Sequence, residues 1–133
     1  MPTSRLTNGF SLIDLLISIG IVSILAAIAY PNYQQSVVLA NKAAAKAYLL
    51  EISSLQSQYL MENLVYASSL DSLAITPNPP VLKHYSLKLT AVSKESSPPT
   101  YTIRAIPKNE SPQLDAGVLW INYLGQTSHN WSH

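Results

Sequence analysis

Gly9-Phe10-Ser11-Leu12-Ile13-Asp14 opens an apolar run that continues to Tyr30. Asp14 is the only charged residue between Phe10 and Tyr30. As a helix with a rise of ~1.5 Å per residue, this run covers roughly 30 Å, which is the thickness of the hydrocarbon core of a bilayer. A carboxylate inside a membrane span is energetically costly and usually has a function. The run therefore predicts a spanning helix in which Asp14 is a functional residue.

The composition restricts the classes of protein to which the chain can belong. Its 133 residues allow one domain at most, and charged residues make up 11% of the chain, against ~25% in a typical soluble domain. A membrane or assembly segment produces such a deficit. The net charge of +1 implies no strong attraction to nucleic acid or anionic lipid. The absence of cysteine excludes disulfides, thiolate metal sites and cysteine nucleophiles.

Two ordinary interpretations of the apolar run stay open at this point. A secretory signal peptide is one, because Leu15–Leu25 fits its apolar region and Ala27-Ile28-Ala29 fits its small-residue cleavage pattern. A plain single-span anchor is the other, with Asp14 a tolerated charge near the membrane surface. The positive charge of Arg5 ahead of the run favours an N-terminus in the cytoplasm.

The order of residues around Gly9 gives a third interpretation. Gly9-Phe10-Ser11-Leu12-Ile13-Asp14-Leu15-Leu16 resembles the class III signal of type IV pilins and pseudopilins, and Ala26–Tyr33 resembles the alanine-rich, proline-containing stretch that such pilins carry. The resemblance implies that a prepilin peptidase cleaves the Gly9–Phe10 bond and that the new terminal residue, Phe10, is N-methylated. It also implies three segments: a leader peptide over 1–9, a hydrophobic transmembrane and assembly helix over 10–33, and a globular headgroup over 34–133.

Asp14 marks a departure from the family pattern. The family normally has glutamate at the fifth position after the cleavage site, and aspartate keeps the charge on a side chain that is one methylene shorter. Cleavage after Gly9 creates a cationic amine on Phe10, with which the carboxylate can pair. The resemblance implies that this pair forms between subunits and neutralises two charges in the apolar core of a fibre. Asp14 is therefore the expected assembly residue.

Helical patterning continues beyond the apolar run. Pro31 removes a backbone donor and is expected to bend or locally melt the helix, which makes it the predicted helix kink. Apolar and aromatic residues then recur on one helical face: Tyr48, Ile52, Leu55, Tyr59 and Tyr66. The polar residues that lie largely off this face are Lys42, Lys46, Ser53, Ser54 and Ser57. The pattern predicts a helix over 34–67 packed on a sheet, and then a proline-rich loop over 68–84.

From Tyr85 onward the pattern is typical of strands. Apolar and polar residues alternate over 85–91 and 101–105, and Val118–Tyr123 is a third candidate strand, closed by Gly125. Short linkers between alternating strands favour an antiparallel meander with one face on the helix. The sequence thus predicts an α+β fold, the pilin fold, with a small sheet over 85–133 packed on a long N-terminal helix.

The headgroup resembles the PilE-like minor pilins in particular. The resemblance rests on Tyr101–Pro107, Asp115–Leu119, Gly125-Gln126-Thr127 and Trp131. In that group one cysteine lies near the Ala116-Gly117 step and another just before the final tryptophan, where this chain has Asn130. Both cysteines are absent here, so the usual disulfide cannot close the C-terminal loop. We expect a looser tail, by ~2–4 kcal/mol.

The sequence contains no pattern for catalysis, a cofactor or a metal. Its histidines, at positions 84, 129 and 133, have no acid–base or metal-ligand spacing, and no glycine-rich phosphate loop or HExxH motif occurs. We therefore expect no enzyme activity and no cofactor. DNA binding is an activity that the sequence leaves open but does not support, because five basic and five acidic residues balance from Glu62 onward. Lys88 and Arg104, on neighbouring predicted strands, can still share one face.

Taken together, these features predict a minor pilin, a structural subunit of a type IV pilus. Its expected partners are other pilin subunits, prepilin peptidase, the inner-membrane assembly platform and, before assembly, the membrane. We expect a single-pass inner-membrane precursor with its N-terminus in the cytoplasm, and an assembled subunit in the pilus at the cell surface. Two alternatives stay open: a pseudopilin of type II secretion, and an exported binding module that is cleaved by signal peptidase and never polymerises. The tail Gly125–His133 has no acidic residue, unlike the acidic calcium-binding loop that is usual near the end of the major type II pseudopilin.

Overall fold

The computed structural model describes residues 10–94 and 97–132, which form two units. The first unit ends at Ser36 and the second begins at Val37. The predicted leader 1–9 lies outside the described residues, and so does the Gly9 side of the expected cleavage bond.

Helix α1 spans Leu12–Asn63 and begins directly after a capping serine. The backbone carbonyl of Ser11 accepts hydrogen bonds from the amides of Asp14 and Leu15, at 3.0 and 3.3 Å. Its hydroxyl accepts a third from the amide of Ile13 at 3.4 Å. Because the first amides of a helix have no partner within it, these bonds fix the start of α1. Phe10 therefore precedes the first turn.

Pro31 lies inside α1 without interrupting it. A proline removes one amide donor, which is one hydrogen bond among the many of a 52-residue helix. α1 is therefore continuous through Pro31. The bend expected at the same residue stays a prediction.

The end of α1 falls at Asn63, so the predicted helix over 34–67 is four residues too long. Leu64 has a φ of 62°, in the left-handed region, and its amide donates to the carbonyl of Leu60 at 2.8 Å. The Asn63 side chain donates to the carbonyl of Tyr59 at 3.0 Å. A left-handed residue directly after the last turn is a common way to end a helix, although glycine is the usual choice. The apolar pattern of the sequence continues past Asn63 and so does not indicate that the helix ends there.

The segment over 68–84 is not a plain loop, so that prediction is wrong in part. A 3₁₀ turn spans Asp71–Leu73, and a second helix, α2, spans Pro79–His84. The Asn78 side chain accepts a hydrogen bond from the amide of Val81 at 3.3 Å and caps α2. Two of the three prolines behind the predicted loop, Pro79 and Pro80, start this helix instead, because amides of the first turn need no partner within a helix.

The sheet has the predicted antiparallel meander. Its strands are β1 (Tyr85–Lys94), β2 (Ser97–Pro107) and β3 (Leu119–Asn122), in the order β1-β2-β3. The register pairs Leu89 with Ile103, and Ile103 with Ile121. A long helix together with a three-stranded antiparallel sheet confirms the α+β fold.

The core lies between the second half of α1 and one face of this sheet. Its largest fully buried side chains are shared among α1, α2, the strands and the segment before β3: Leu49, Ile52, Gln56, Val81, Tyr85, Ile103, Gln113 and Leu119. From Tyr101 onward, the odd-numbered residues of β2 and β3 are buried in the core, whereas their even-numbered neighbours are more exposed. This alternation is what a sheet with one buried face requires.

The predicted helical face is confirmed at its centre. Tyr48 and Ile52 are buried, and Leu55 and Tyr59 are partly buried against the core. Tyr66 lies beyond the end of α1, where its ring packs edge-on against another tyrosine of the sheet. That part of the predicted face therefore belongs to the segment after the helix.

Of the polar residues predicted to lie off this face, one is buried and another bonds to a core residue. Lys42 is 7% exposed. The Ser53 hydroxyl forms a hydrogen bond with the Tyr101 hydroxyl at 2.7 Å. The buried face of α1 is thus wider than the stripe of large apolar residues indicated, because a serine with a hydrogen-bond partner can lie within it.

The C-terminal tail is held without a disulfide. Ile121 forms a β-bridge with Thr127, and the amide of Ser128 donates to the carbonyl of Trp120 at 3.1 Å. Gly117 and Asn130 lie in contact, since a Cβ placed on Gly117 would be 3.2 Å from the Asn130 Cγ and closer still to its amide nitrogen. Asn130 therefore occupies the space beside Gly117, close to the place where the PilE-like group has its disulfide.

Candidate functional site

The first candidate surface is the apolar part of α1 up to Ser36. An 18-residue window of α1 is long and apolar enough to cross a membrane, and none of it is buried within the chain. Phe10 is 82% exposed and Leu12 77% exposed. So much exposed apolar surface on a single helix is typical of an element that is covered by lipid or by another protein.

The polar side chains of this apolar segment are largely satisfied within the helix. The Ser18 hydroxyl donates to the carbonyl of Asp14 at 2.7 Å, and the Ser23 hydroxyl donates to the carbonyl of Ile19 at 2.8 Å. A hydroxyl bonded to its own helix can enter a medium without water at little cost. Asp14 differs, because an ionised carboxylate in the first turn of α1 needs a partner once water is excluded. It is the one side chain of this segment whose burial demands an opposite charge.

The second candidate surface is the solvent face of the sheet. Lys88 on β1 lies directly opposite Arg104 on β2, and Arg104 lies directly opposite Trp120 on β3. We call these three residues the cross-strand row. Lys88 and Arg104 are exposed and Trp120 is half-buried. Since neighbouring strands lie ~4.8 Å apart, the row runs roughly 10 Å across the sheet.

The same face continues as a ladder of paired residues beyond the row. Towards the hairpin, Thr90 pairs with Thr102. Towards α2, the amide of Lys108 donates to the carbonyl of His84 at 3.0 Å, which extends the β1–β2 ladder. The Lys108 side chain donates to the carbonyl of Leu82, so it is already engaged at the end of α2. Lys88 and Arg104 are therefore the two exposed cations that the strand pairing sets side by side on this face.

The described acidic residues of the second unit lie outside the strands of the sheet. Among the described residues they lie on α1, in the loop after it, or between β2 and β3: Glu51, Glu62, Asp71, Glu110 and Asp115. The described residues of the three strands thus include no acidic side chain. The expectation that Lys88 and Arg104 share a face is confirmed, and pairing across the sheet makes them neighbours.

A third feature was not predicted from the sequence. A buried glutamine of α1 forms hydrogen bonds with the backbone of the segment that follows the helix. Gln56 is fully buried, and its side chain accepts a hydrogen bond from the amide of Ala67 at 2.9 Å and donates to the carbonyl of Ala67 at 3.0 Å. This reciprocal pair satisfies both backbone groups of a fully buried residue. Gln56 carries no sequence signal, because a glutamine within a helical pattern is ordinarily exposed.

A second buried contact joins β1 to the segment before β3. The Tyr85 hydroxyl donates to the Gln113 side-chain oxygen at 3.0 Å, and both residues are fully buried. Burial raises the pKa of the Tyr85 hydroxyl above its usual 10.0. Nearby, His84 Nδ1 lies 3.2 Å from the Ser111 hydroxyl, which indicates a structural role for this histidine. Within residues 10–94 and 97–132, no group of three His, Asp or Glu side chains could hold a metal ion.

Comparison with known proteins agrees with this architecture. A family model described as "Type IV minor pilin ComP, DNA uptake sequence receptor" matches residues 31–116. The "Type IV wide pilus major component PilA4" of Thermus thermophilus is 40% identical over 65 residues, which are 49% of this chain and 50% of that protein. The chain thus spans about half the length of this curated relative. Because the family model covers well over half of the chain and the fold agrees with it, the chain belongs to the type IV minor pilin family.

Proposed function

We propose that this protein is a minor subunit of a type IV pilus. Prepilin peptidase cleaves the Gly9–Phe10 bond, and Phe10 is then N-methylated. Before assembly the apolar helix holds the subunit in the inner membrane, with the precursor's N-terminus in the cytoplasm. The assembly platform then transfers it into a fibre, where the same helix packs against the helices of other subunits. The observation that carries this proposal is the long apolar segment of α1, in which the 18-residue window that could span a membrane is unburied, with one carboxylate in the first turn of the helix.

The carboxylate explains how one helix serves in two environments. In the precursor, Asp14 lies near one end of the span, within reach of the water interface. In a fibre core the same group is removed from water, and an isolated charge there is strongly unfavourable. The amine on Phe10 that cleavage creates supplies the opposite charge. Pairing the Asp14 carboxylate with the amine of a neighbouring subunit therefore favours one register between helices.

A pseudopilin of type II secretion and an exported binding module are the alternatives to this role. The family match favours a type IV pilin over both. Recovery of the subunit with mechanically sheared pili tests the proposal directly. We expect the wild-type protein in the sheared fraction as well as in the inner membrane. Recovery from the periplasm alone would favour the exported module, and recovery from the membrane alone would contradict assembly into surface fibres.

We further propose that the headgroup binds DNA. The matching family model is described as a DNA uptake sequence receptor, and the cross-strand row places two exposed cations side by side on strands whose described residues include no acidic side chain. DNA carries a closely spaced line of negative charge, so adjacent cations displace counterions from neighbouring phosphates. Lys88 and Arg104 are the residues we assign to these phosphate contacts.

The double variant Lys88→Ala/Arg104→Ala tests the DNA role. We expect it to weaken binding of any DNA about tenfold or more at ~0.1 M salt, and to make the affinity less sensitive to salt. Fluorescence anisotropy with the full chain in detergent micelles measures both effects. Lys46→Ala, which removes one charge from α1, is the control and should change binding less than about twofold. Equal binding by the wild type and the double variant would contradict this assignment.

A further inference from the structure

The shape of the cross-strand row indicates which form of DNA it accepts. The row lies on a face of three adjacent strands, whereas the major groove of duplex DNA, ~12 Å wide, admits an α-helix or a two-stranded ribbon. Of the described helices, α1 packs on the opposite face of the sheet, and α2 has six residues. Resting on the DNA role proposed above, we infer that this face binds a single strand of DNA, with one base stacked on Trp120 and the adjoining phosphates on Arg104 and Lys88.

Trp120 has the placement that a stacking platform needs. Its neighbours on β3, Leu119 and Ile121, are buried in the core, and the alternation turns the indole to the solvent face. Trp120 is half-buried, which leaves part of its surface for a ligand. Bases stack on aromatic rings with little regard to sequence, and every base offers such a surface.

The cations stand beside the indole in the order that a single strand requires. Arg104 is directly opposite Trp120, and Lys88 is one strand further along the same row. A nucleotide whose base lies on the indole therefore has cations beside it for its phosphates. In a duplex the bases are paired and stacked inside, so the indole can meet only the backbone unless base pairs open. The aromatic member of the row therefore favours a single strand over a duplex.

The test compares one labelled oligonucleotide in two forms. A mixed-sequence 20-nucleotide strand is titrated with the full-length protein in micelles, alone and annealed to its complement, at equal salt. We expect the single strand to bind about tenfold more tightly than the duplex. Trp120→Ala should weaken single-strand binding about tenfold and duplex binding less than twofold, whereas Trp120→Phe should retain most of the single-strand affinity. The Trp131 fluorescence of each variant shows whether its headgroup is folded.

A second readout does not depend on the alanine variant. Saturating single-stranded DNA should quench part of the tryptophan fluorescence of the wild type, and Trp120→Phe should remove that quenching while binding persists. Equal affinity for the two forms, or quenching that survives in Trp120→Phe, would overturn the inference. If both forms bind equally through Lys88 and Arg104, the DNA role stands and the single-strand preference is wrong. If neither form binds, both proposals are wrong, and the pilus subunit role is unaffected.

Discussion

We expect Asp14→Ala to leave the subunit in the membrane but to reduce its incorporation into pili at least tenfold. The substitution removes a charge from an apolar helix, so insertion into the bilayer should not suffer. In the fibre it leaves the amine of Phe10 unpaired in an environment without water, where losing one member of a buried charge pair costs about 3–5 kcal/mol. Quantitative immunoblots of the membrane and sheared-pilus fractions measure the ratio.

Asp14→Glu is the matched control for this prediction. It keeps the charge and restores the longer side chain that is usual in the family, so incorporation should equal or exceed that of the wild type. Asp14→Asn keeps the size but removes the charge, and should behave like the alanine variant. Normal incorporation of both neutral variants would show that Asp14 does not set the register of subunits.

The second large effect is expected from Gln56→Leu, which we predict to destabilise the headgroup by about 2–4 kcal/mol. Leucine fills a similar volume but cannot bond to the amide and carbonyl of Ala67, which are both buried. Each backbone group left without a partner costs about 1–3 kcal/mol. Urea unfolding of the full chain in detergent, followed by tryptophan fluorescence, measures the loss, because both tryptophans lie in the headgroup.

Gln58→Leu provides a control with the same substitution on the same helix. Gln58 is exposed, so its replacement should change the free energy of unfolding by less than about 0.5 kcal/mol. If the two variants were equally stable, the hydrogen bonds between Gln56 and Ala67 would contribute nothing to the headgroup. The segment after α1 would then depend on its apolar contacts alone, among them the packing of Tyr66 on Tyr101.

Periodicity predicted the architecture because burial imposes it. The change from helical spacing to alternation at Tyr85 marks the start of β1, and the order of the strands follows from their short connections. The resemblance around Gly9 and Phe10 pointed to the family that the comparison then showed. The predicted end of α1 was wrong because Leu64 takes a left-handed conformation, which nothing in its side chain indicates. The two prolines of α2 misled for a similar reason, since proline both ends and begins helices.

The candidate DNA surface could not be derived from the sequence, because it depends on register. Lys88 and Arg104 are sixteen positions apart, and only the observed pairing places them opposite each other. A shift of one residue would turn one of them into the core. Trp120 lies on a third strand, so the row can be recognised only when the registers of both strand pairs are known. The role of Gln56 could not be predicted for a different reason. Its hydrogen-bond partner is the backbone of Ala67, and a backbone group leaves no signal in the pattern of residue types.

The N-terminus of the subunit recovered from sheared pili tests the central claim most directly. Mass spectrometry of that protein should show a chain that begins at Phe10, carries one added methyl group on its amine, and lacks residues 1–9. Such a result would establish processing and assembly for the same molecule. A chain in the fibre that still begins at Met1, or a mature protein that begins at Tyr30 and is absent from fibres, would contradict the account.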